Sequence, residues 1–192
     1  GTLTPRDVTV GSGKKGWWIC KKGHEWKAEI YLRNRGIGCP YCSGKKVCED
    51  NCLATLHPEL AKEWHSVKNG NLTPKDVTSS SYKKVWWKCR KGHEWNTAIY
   101  VRSSGCGCPY CSGKKVCEDN CLATINPELA KEWDYEKNVN LTPKDVTAGS
   151  GKKVWWRCFY GHEWQDVINN RNRGKYCHVC RNILKREGFL RS

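Results

Sequence analysis

The chain has 192 residues, a formal net charge of +15, eleven tryptophans against two phenylalanines and no methionine, and a mean hydropathy of −0.77. That composition excludes one large aliphatic core, and no apolar run approaches the roughly 20 residues of a membrane-spanning helix. Fourteen cysteines without a signal-peptide pattern point to metal rather than to a secreted disulfide scaffold, and so to a reducing, intracellular and cytoplasmic setting.

In chain order, the first predicted element is a helical turn at Thr4-Pro5-Arg6-Asp7: threonine can cap, proline takes the first helical position and aspartate closes a capping box. Next comes W-W-x-C-x-x-G-H-E-W, from Trp17 to Trp26, which reads as a β-hairpin with Cys20 and His24 at its tip. Its second strand is expected to run on through Ile30 to Arg33. A short polar loop containing glycine, residues 34–38, then leads to a second knuckle, Cys39-Pro40-Tyr41-Cys42. Beyond it, P-E-L-A-K-E-W at Pro58 to Trp64 reads as a short helix that spaces modules apart, with Leu129 and Trp133 buried on one face of its second copy.

All of this recurs with a period of 69 residues, the mark of a repeat architecture. Cys20, His24, Cys39 and Cys42 return as Cys89, His93, Cys108 and Cys111, and again as Cys158, His162, Cys177 and Cys180. Three thiolates and one imidazole on two knuckles suit closed, tetrahedral structural zinc. We therefore expect three zinc ions, with folding dependent on them. The implied division is a zinc module at 2–47, a helical linker at 48–70, a module at 71–116, a linker at 117–139, and a module at 140–192 that ends in a basic tail. Each linker carries a C-x3-C pair, Cys48 and Cys52 or Cys117 and Cys121, read as small buried residues, with a linker disulfide or recruitment of a distant pair as the alternatives. Cys106 reads as an adventitious thiol.

The string W-W-x-C-x-x-G-H-E-W…G-C-P-Y-C-S-G-K, joined by L-A-T-x-x-P-E-L-A-K-E-W and L-T-P-K-D-V-T, resembles the probable zinc-ribbon domain family of bacteria and their phages. The resemblance implies small zinc-stabilised α+β modules: three tandem treble-clef or zinc-ribbon-like β-hairpin units joined by short helical linkers. It also implies nucleic acid as a partner, with a nuclease or other effector domain beside the array in some members. The third copy departs from the pattern at Tyr176-Cys177-His178-Val179-Cys180, although its ligands survive.

Three Cys3His sites would each remove one unit of charge, leaving about +12. The cations recur in register: Lys14 and Lys15, Lys83 and Lys84, Lys152 and Lys153 before the hairpins; Lys45-Lys46 and Lys114-Lys115 after the second knuckle; Arg33, Arg102 and Arg171 at the expected strand ends. A regular basic ladder suits a regular polyanion through phosphate neutralisation and counterion release. Between the copies, polar residues vary after G-H-E-W (Lys27, Asn96-Thr97, Gln165) and in the following loop (Asn34-Arg35, Ser103-Ser104, Asn172-Arg173). Fixed cations with variable polar neighbours fit a division between phosphate grip and base readout. Double-stranded DNA is the first-ranked partner; RNA or a single strand, a protein partner, or service as the targeting module of a nuclease are the alternatives. The tryptophans read mostly as core. Glu25, Glu94 and Glu163 follow the zinc histidines, but Ala28, Thr97 and Asp166 stand where H-E-x-x-H needs its second histidine, so no catalytic residue, small-molecule substrate or membrane contact is expected.

Overall fold

A computed structural model describes residues 3–186. The chain divides into two compact units, Gly1–Cys106 and Gly107–Ser192. Among the described residues the sheets are three antiparallel hairpins: β1 (Lys15–Ile19) with β2 (Glu25–Glu29), β3 (Lys84–Lys88) with β4 (Glu94–Ala98), and β5 (Lys153–Arg157) with β6 (Glu163–Val167). Register puts one tryptophan of each W-W pair opposite the tryptophan of G-H-E-W: Trp18 faces Trp26, Trp87 faces Trp95 and Trp156 faces Trp164. Because strand side chains alternate between faces, the other tryptophan of each pair projects to the opposite face. Trp87 and Trp156 are fully buried, and truncating either to alanine should cost about 3–5 kcal/mol.

The strand expected to continue through Ile30–Arg33 does not. Each hairpin turns instead into one helical turn: α1 (Ile30–Asn34), α4 (Ile99–Ser103) and α7 (Ile168–Asn172). Ile30 N–H bonds Lys14 C=O at 3.1 Å, Arg35 N–H bonds Tyr31 C=O at 3.0 Å, and Gly36 then leaves the helix at φ +83°, the left-handed exit glycine favours. The difference matters for side chains. In a strand, residues three apart face opposite sides; in a helix they share one. Ile99 and Arg102 are accordingly both buried, as are Ile168 and Arg171.

Capping of the T-P-x-D turn is as expected. Thr4 N–H donates to the Asp7 carboxylate at 2.9 Å and its hydroxyl does so at 2.6 Å, with a 3-10 turn at Pro5–Asp7; Thr73 with Asp76 and Thr142 with Asp145 repeat those bonds. The L-A-T and P-E-L-A segments form short helices, α2 (Leu53–Leu56) and α3 (Pro58–Lys62) in the first unit and α5 (Leu122–Ile125) and α6 (Pro127–Ala130) in the second. Asn126 caps α6 by accepting from Leu129 N–H at 3.1 Å, and Leu129 and Trp133 are buried.

These segments are not free spacers. Each folds onto the hairpin that follows it: Trp64 bridges to Trp87 and Cys52 to Thr78 in the first unit, Trp133 to Trp156 and Cys121 to Thr147 in the second. Leu122, Leu129, Trp133, Val154, Trp156 and Ile168 consequently share one core. Among the described residues the final helix, α8 (His178–Arg186), begins inside the third second-knuckle and carries its ligand Cys180.

Candidate metal centres

The first two ligands of each site sit at the hairpin tip. Cys20 N–H bonds His24 C=O at 3.1 Å and Gly23 N–H bonds Cys20 C=O at 2.9 Å, and Gly23 carries φ +83°, a turn that L residues with a Cβ rarely take. The second pair comes from the knuckle, where Cys42 N–H points at Cys39 Sγ at 3.5 Å.

His24 presents Nδ1 to all three thiols, at 3.4 Å from Cys20, 3.6 Å from Cys39 and 3.3 Å from Cys42, while Cys20 and Cys42 lie 3.7 Å apart. In the third site the distances to His162 Nδ1 are 3.4, 3.8 and 3.4 Å from Cys158, Cys177 and Cys180, and Cys158 lies 3.7 Å from Cys180. A tetrahedron with Zn–S near 2.3 Å and Zn–N near 2.1 Å has edges of about 3.5–3.8 Å. Both sets match it. The second quartet, Cys89, His93, Cys108 and Cys111, likewise keeps its ligand atoms within 4.8 Å of one another.

Without a cation the thiols cannot all ionise together. Desolvation opposes ionisation of Cys20, but backbone N–H groups of Lys22 and His24 and the thiols of Cys42 and Cys39 outweigh it and bring the group down to about 6. Cys42 goes the other way, pushed up to about 11 by burial and then by Cys20 and Cys39; Cys180 reaches about 12 for the same reasons. A central dication removes that conflict, since a coordinating thiol is deprotonated outright. Donor set, spacing and charge therefore all fit three zinc ions, whose contribution is to tie hairpin to knuckle.

Sequence reasoning missed a further residue. His24 Nε2 faces Asp50 Oδ1 at 3.1 Å, and Cys48 Sγ donates to the same oxygen at 2.6 Å. His93, Cys117 and Asp119 form the matching cluster in the second repeat. A carboxylate on the far nitrogen of a zinc histidine fixes its tautomer and ring orientation. Cys48 is therefore attached to the rim of the zinc site, while Cys52 and Cys121 are buried as expected. The signal available in the sequence was C-E-D-N after the second knuckle in the first two copies; the corresponding position of the third is Gly188, outside the described residues.

The sequence profile of the probable treble clef zinc finger domain family matches residues 1–45, 60–114 and 129–183. The chain belongs to this treble clef zinc finger family. An uncharacterized protein of Acanthamoeba polyphaga mimivirus is 26% identical over 180 residues, covering 85% of this chain and 44% of that protein. The chain thus spans less than half the length of that relative. Among the described residues, no helix is long and apolar enough to cross a membrane.

The treble clef modules sort the expected nucleic-acid residues into two groups. Lys14, Lys15, Lys83, Lys84, Lys152 and Lys153 are exposed, as are Lys27, Asn34, Arg35, Asn96, Ser104, Gln165 and Arg173. Lys27, Asn96 and Gln165 lie directly across the hairpin from Trp17, Trp86 and Trp155, on the outer face. Thr97, Ser103 and Asn172 are half-buried; the Ser103 hydroxyl bonds Ile99 C=O at 3.2 Å, and Asn172 accepts from Asn126 at 3.2 Å.

The arginines expected at strand ends, Arg33, Arg102 and Arg171, lie against tryptophans instead. Arg102 and Arg171 are each only 5% exposed and ion-paired to Glu63 and Glu132. Their guanidinium groups lie 5.1–5.5 Å from the ring centroids of Trp87 and Trp95 or Trp156 and Trp164. They hold the linker to the hairpin and are not available to phosphates. Arg33 occupies the same place over Trp18 and Trp26.

Proposed function

We propose that the chain is a tandem treble clef zinc finger protein that binds double-stranded DNA sequence-specifically, without catalysis. The observation that carries this reading is the division among its cations. Lys68, Lys88, Lys137 and Arg157 are committed to Glu94 and Glu163. The recurring pairs Lys14-Lys15, Lys83-Lys84 and Lys152-Lys153, and Lys45-Lys46 and Lys114-Lys115 after the knuckles, are exposed and take part in no ion pair among the described residues. Uncommitted ammonium groups in register are what phosphate contact requires. Base readout then falls to Lys27, Asn96 and Gln165 on the outer hairpin face and to Arg35 and Arg173 at the ends of the helical turns, since arginine pairs with guanine and asparagine or glutamine with adenine.

Trp17 stands 73% exposed, but Trp86 and Trp155 are half-buried beneath Lys68 and Lys137, at 4.3 and 4.4 Å. A continuous stacking platform for a single strand is therefore not the better reading. Selection of bound molecules from a randomised duplex pool by the zinc-loaded protein at near-physiological salt tests the proposal. A recovered motif that changes when residues 27–35 are exchanged for 96–104 supports it; retention without a motif reduces it to phosphate binding, and no retention refutes it.

A further inference from the structure

β3 carries a third segment along its outer edge. Glu63 C=O accepts from Lys88 N–H at 2.7 Å, His65 N–H donates to Trp86 C=O at 3.1 Å, and the Asn69 amide bonds both backbone groups of Trp86 at 2.8 Å. Leu53 N–H reaches Val77 C=O at 2.8 Å, Trp64 meets Trp87 edge-on with centroids 5.5 Å apart, and Glu63 pairs with Arg102. β5 is covered the same way. Glu132 C=O accepts from Arg157 N–H at 2.7 Å, Leu122 N–H reaches Val146 C=O at 2.8 Å, Trp133 meets Trp156 at 5.4 Å and Glu132 pairs with Arg171.

β1 has the same receiving groups and, among the described residues, nothing on them. Trp17 N–H and C=O, Ile19 N–H and Val8 C=O stand where Trp86, Lys88 and Val77 stand in the second repeat. Trp17 and Ile19 are 73% and 68% exposed. An open cleft of about 710 Å³ lies here, lined by Leu3, Pro5, Val8, Trp17, Trp18 and Ile30 among others. Gly16 replaces Val85 and Val154, and a Cβ there would meet only Trp18 Nε1, at 3.9 Å, so the floor of the cleft is open. Arg33 donates to Ile37 C=O and stacks between Trp18 and Trp26, but has no carboxylate corresponding to Glu63 or Glu132 among the described residues.

We propose that this cleft docks a linker-type peptide segment from outside residues 1–192: a leucine anchor, a proline-started helical turn, Glu-Trp, then an extended stretch pairing with the edge of β1. Charge complementarity selects the glutamate, the edge N–H and C=O groups select extended backbone, and the half-buried Trp18 that lines the cleft selects the tryptophan. The two linkers of a second copy are already engaged on their own hairpins, so an outside segment fills the cleft at lower cost. The position after Glu-Trp sets a preference. Asp134 is 2% exposed and lies 3.3 Å from Arg157, whereas Ile19 stands at that place in the first repeat and would leave such a carboxylate unpaired. His65, which bonds Glu94 at 3.1 Å, finds the equivalent Glu25 exposed. The occupant therefore resembles the first linker rather than the second.

The test is a labelled synthetic peptide of residues 51–69, with Cys52→Ser to keep it off zinc, titrated into the zinc-loaded chain and followed by anisotropy and amide hydrogen exchange. Saturable binding is expected, with slowed exchange at Ile19 and Trp17 and no change at Lys88 and Arg157. Glu63→Gln in the peptide should weaken binding about tenfold, Trp64→Ala should abolish it, and the corresponding peptide of residues 120–138 should bind more weakly. Those arms alter only the peptide, so the folding of the chain does not bear on them. The proposal is overturned by no binding, by binding without protection at Ile19, by equal affinity of the Glu63→Gln peptide, or by self-association of the chain that protects Ile19 without peptide.

Discussion

Replacing Glu63 by glutamine isolates what the linker-to-hairpin ion pair contributes. Arg102 is 5% exposed and Glu63 28%, so the substitution leaves a guanidinium nearly out of water with a neutral acceptor in place of a carboxylate. Breaking a buried pair typically costs about 3–5 kcal/mol. Here the glutamine carbonyl still accepts one bond, Glu63 keeps partial solvent contact, and Trp87 and Trp95 continue to screen the cation. These offsets bring the expected loss to about 2 kcal/mol, or about a thirtyfold fall in protection of the Trp87 indole N–H, which donates to Thr97 C=O at 3.2 Å. Native-state hydrogen exchange reads it residue by residue, and the second unit supplies the control: protection of the Trp156 indole, bonded to Asp166 C=O at 3.1 Å, should not move. Glu132→Gln should reverse the pattern. Unchanged Trp87 protection, or equal losses at both indoles, would refute the view that each linker is clamped to the following hairpin by its own arginine.

Removing zinc with a chelator should release three ions per chain and collapse all three hairpin knuckles, seen as metal release by a colorimetric chelator together with loss of tryptophan near-UV ellipticity. Asp50→Asn should weaken zinc at the first site about 10- to 100-fold and Asp119→Asn at the second, leaving the third unchanged; competition titration with a metal indicator gives the three affinities. Glu94 is held down to about 2 by Lys68 first, with His65 and Lys88 adding to it against desolvation. Because its folded value lies below the ordinary 4.5, its stabilisation is present above about 4.5 and lost as pH falls toward 2. The Tm gap between wild type and Glu94→Gln should therefore be largest near neutrality and close in acid; a constant gap would show that charge is not its origin. Replacing both Lys83 and Lys84 by alanine should lower the magnitude of the log K against log salt slope by about 2 for any duplex, whereas Arg35→Ala should change which sequences are preferred.

What the sequence determined by itself is local. Ligand identity and spacing specify three Cys3His sites, T-P-x-D specifies its capped turn, and the alternation around W-W and G-H-E-W specifies the hairpins, because each depends on residues within a few positions or on a fixed chemical preference. The tertiary structure decided the rest. Whether Ile30–Arg33 continues a strand or enters a helical turn sets the side on which the arginine lies, and short stretches do not distinguish the two. Only the fold brings Glu63 to Arg102 across 39 residues, turning a residue that reads as a phosphate contact into an internal clamp. Asp50 became legible as a support for His24 only once the chain after the second knuckle was seen to return to the hairpin tip. The open edge of β1 is of the same kind. Gly16 and Ile19 set its residues apart from those of β3 and β5, but the larger difference is the segment that lies against those two strands, which no pattern within the strand records.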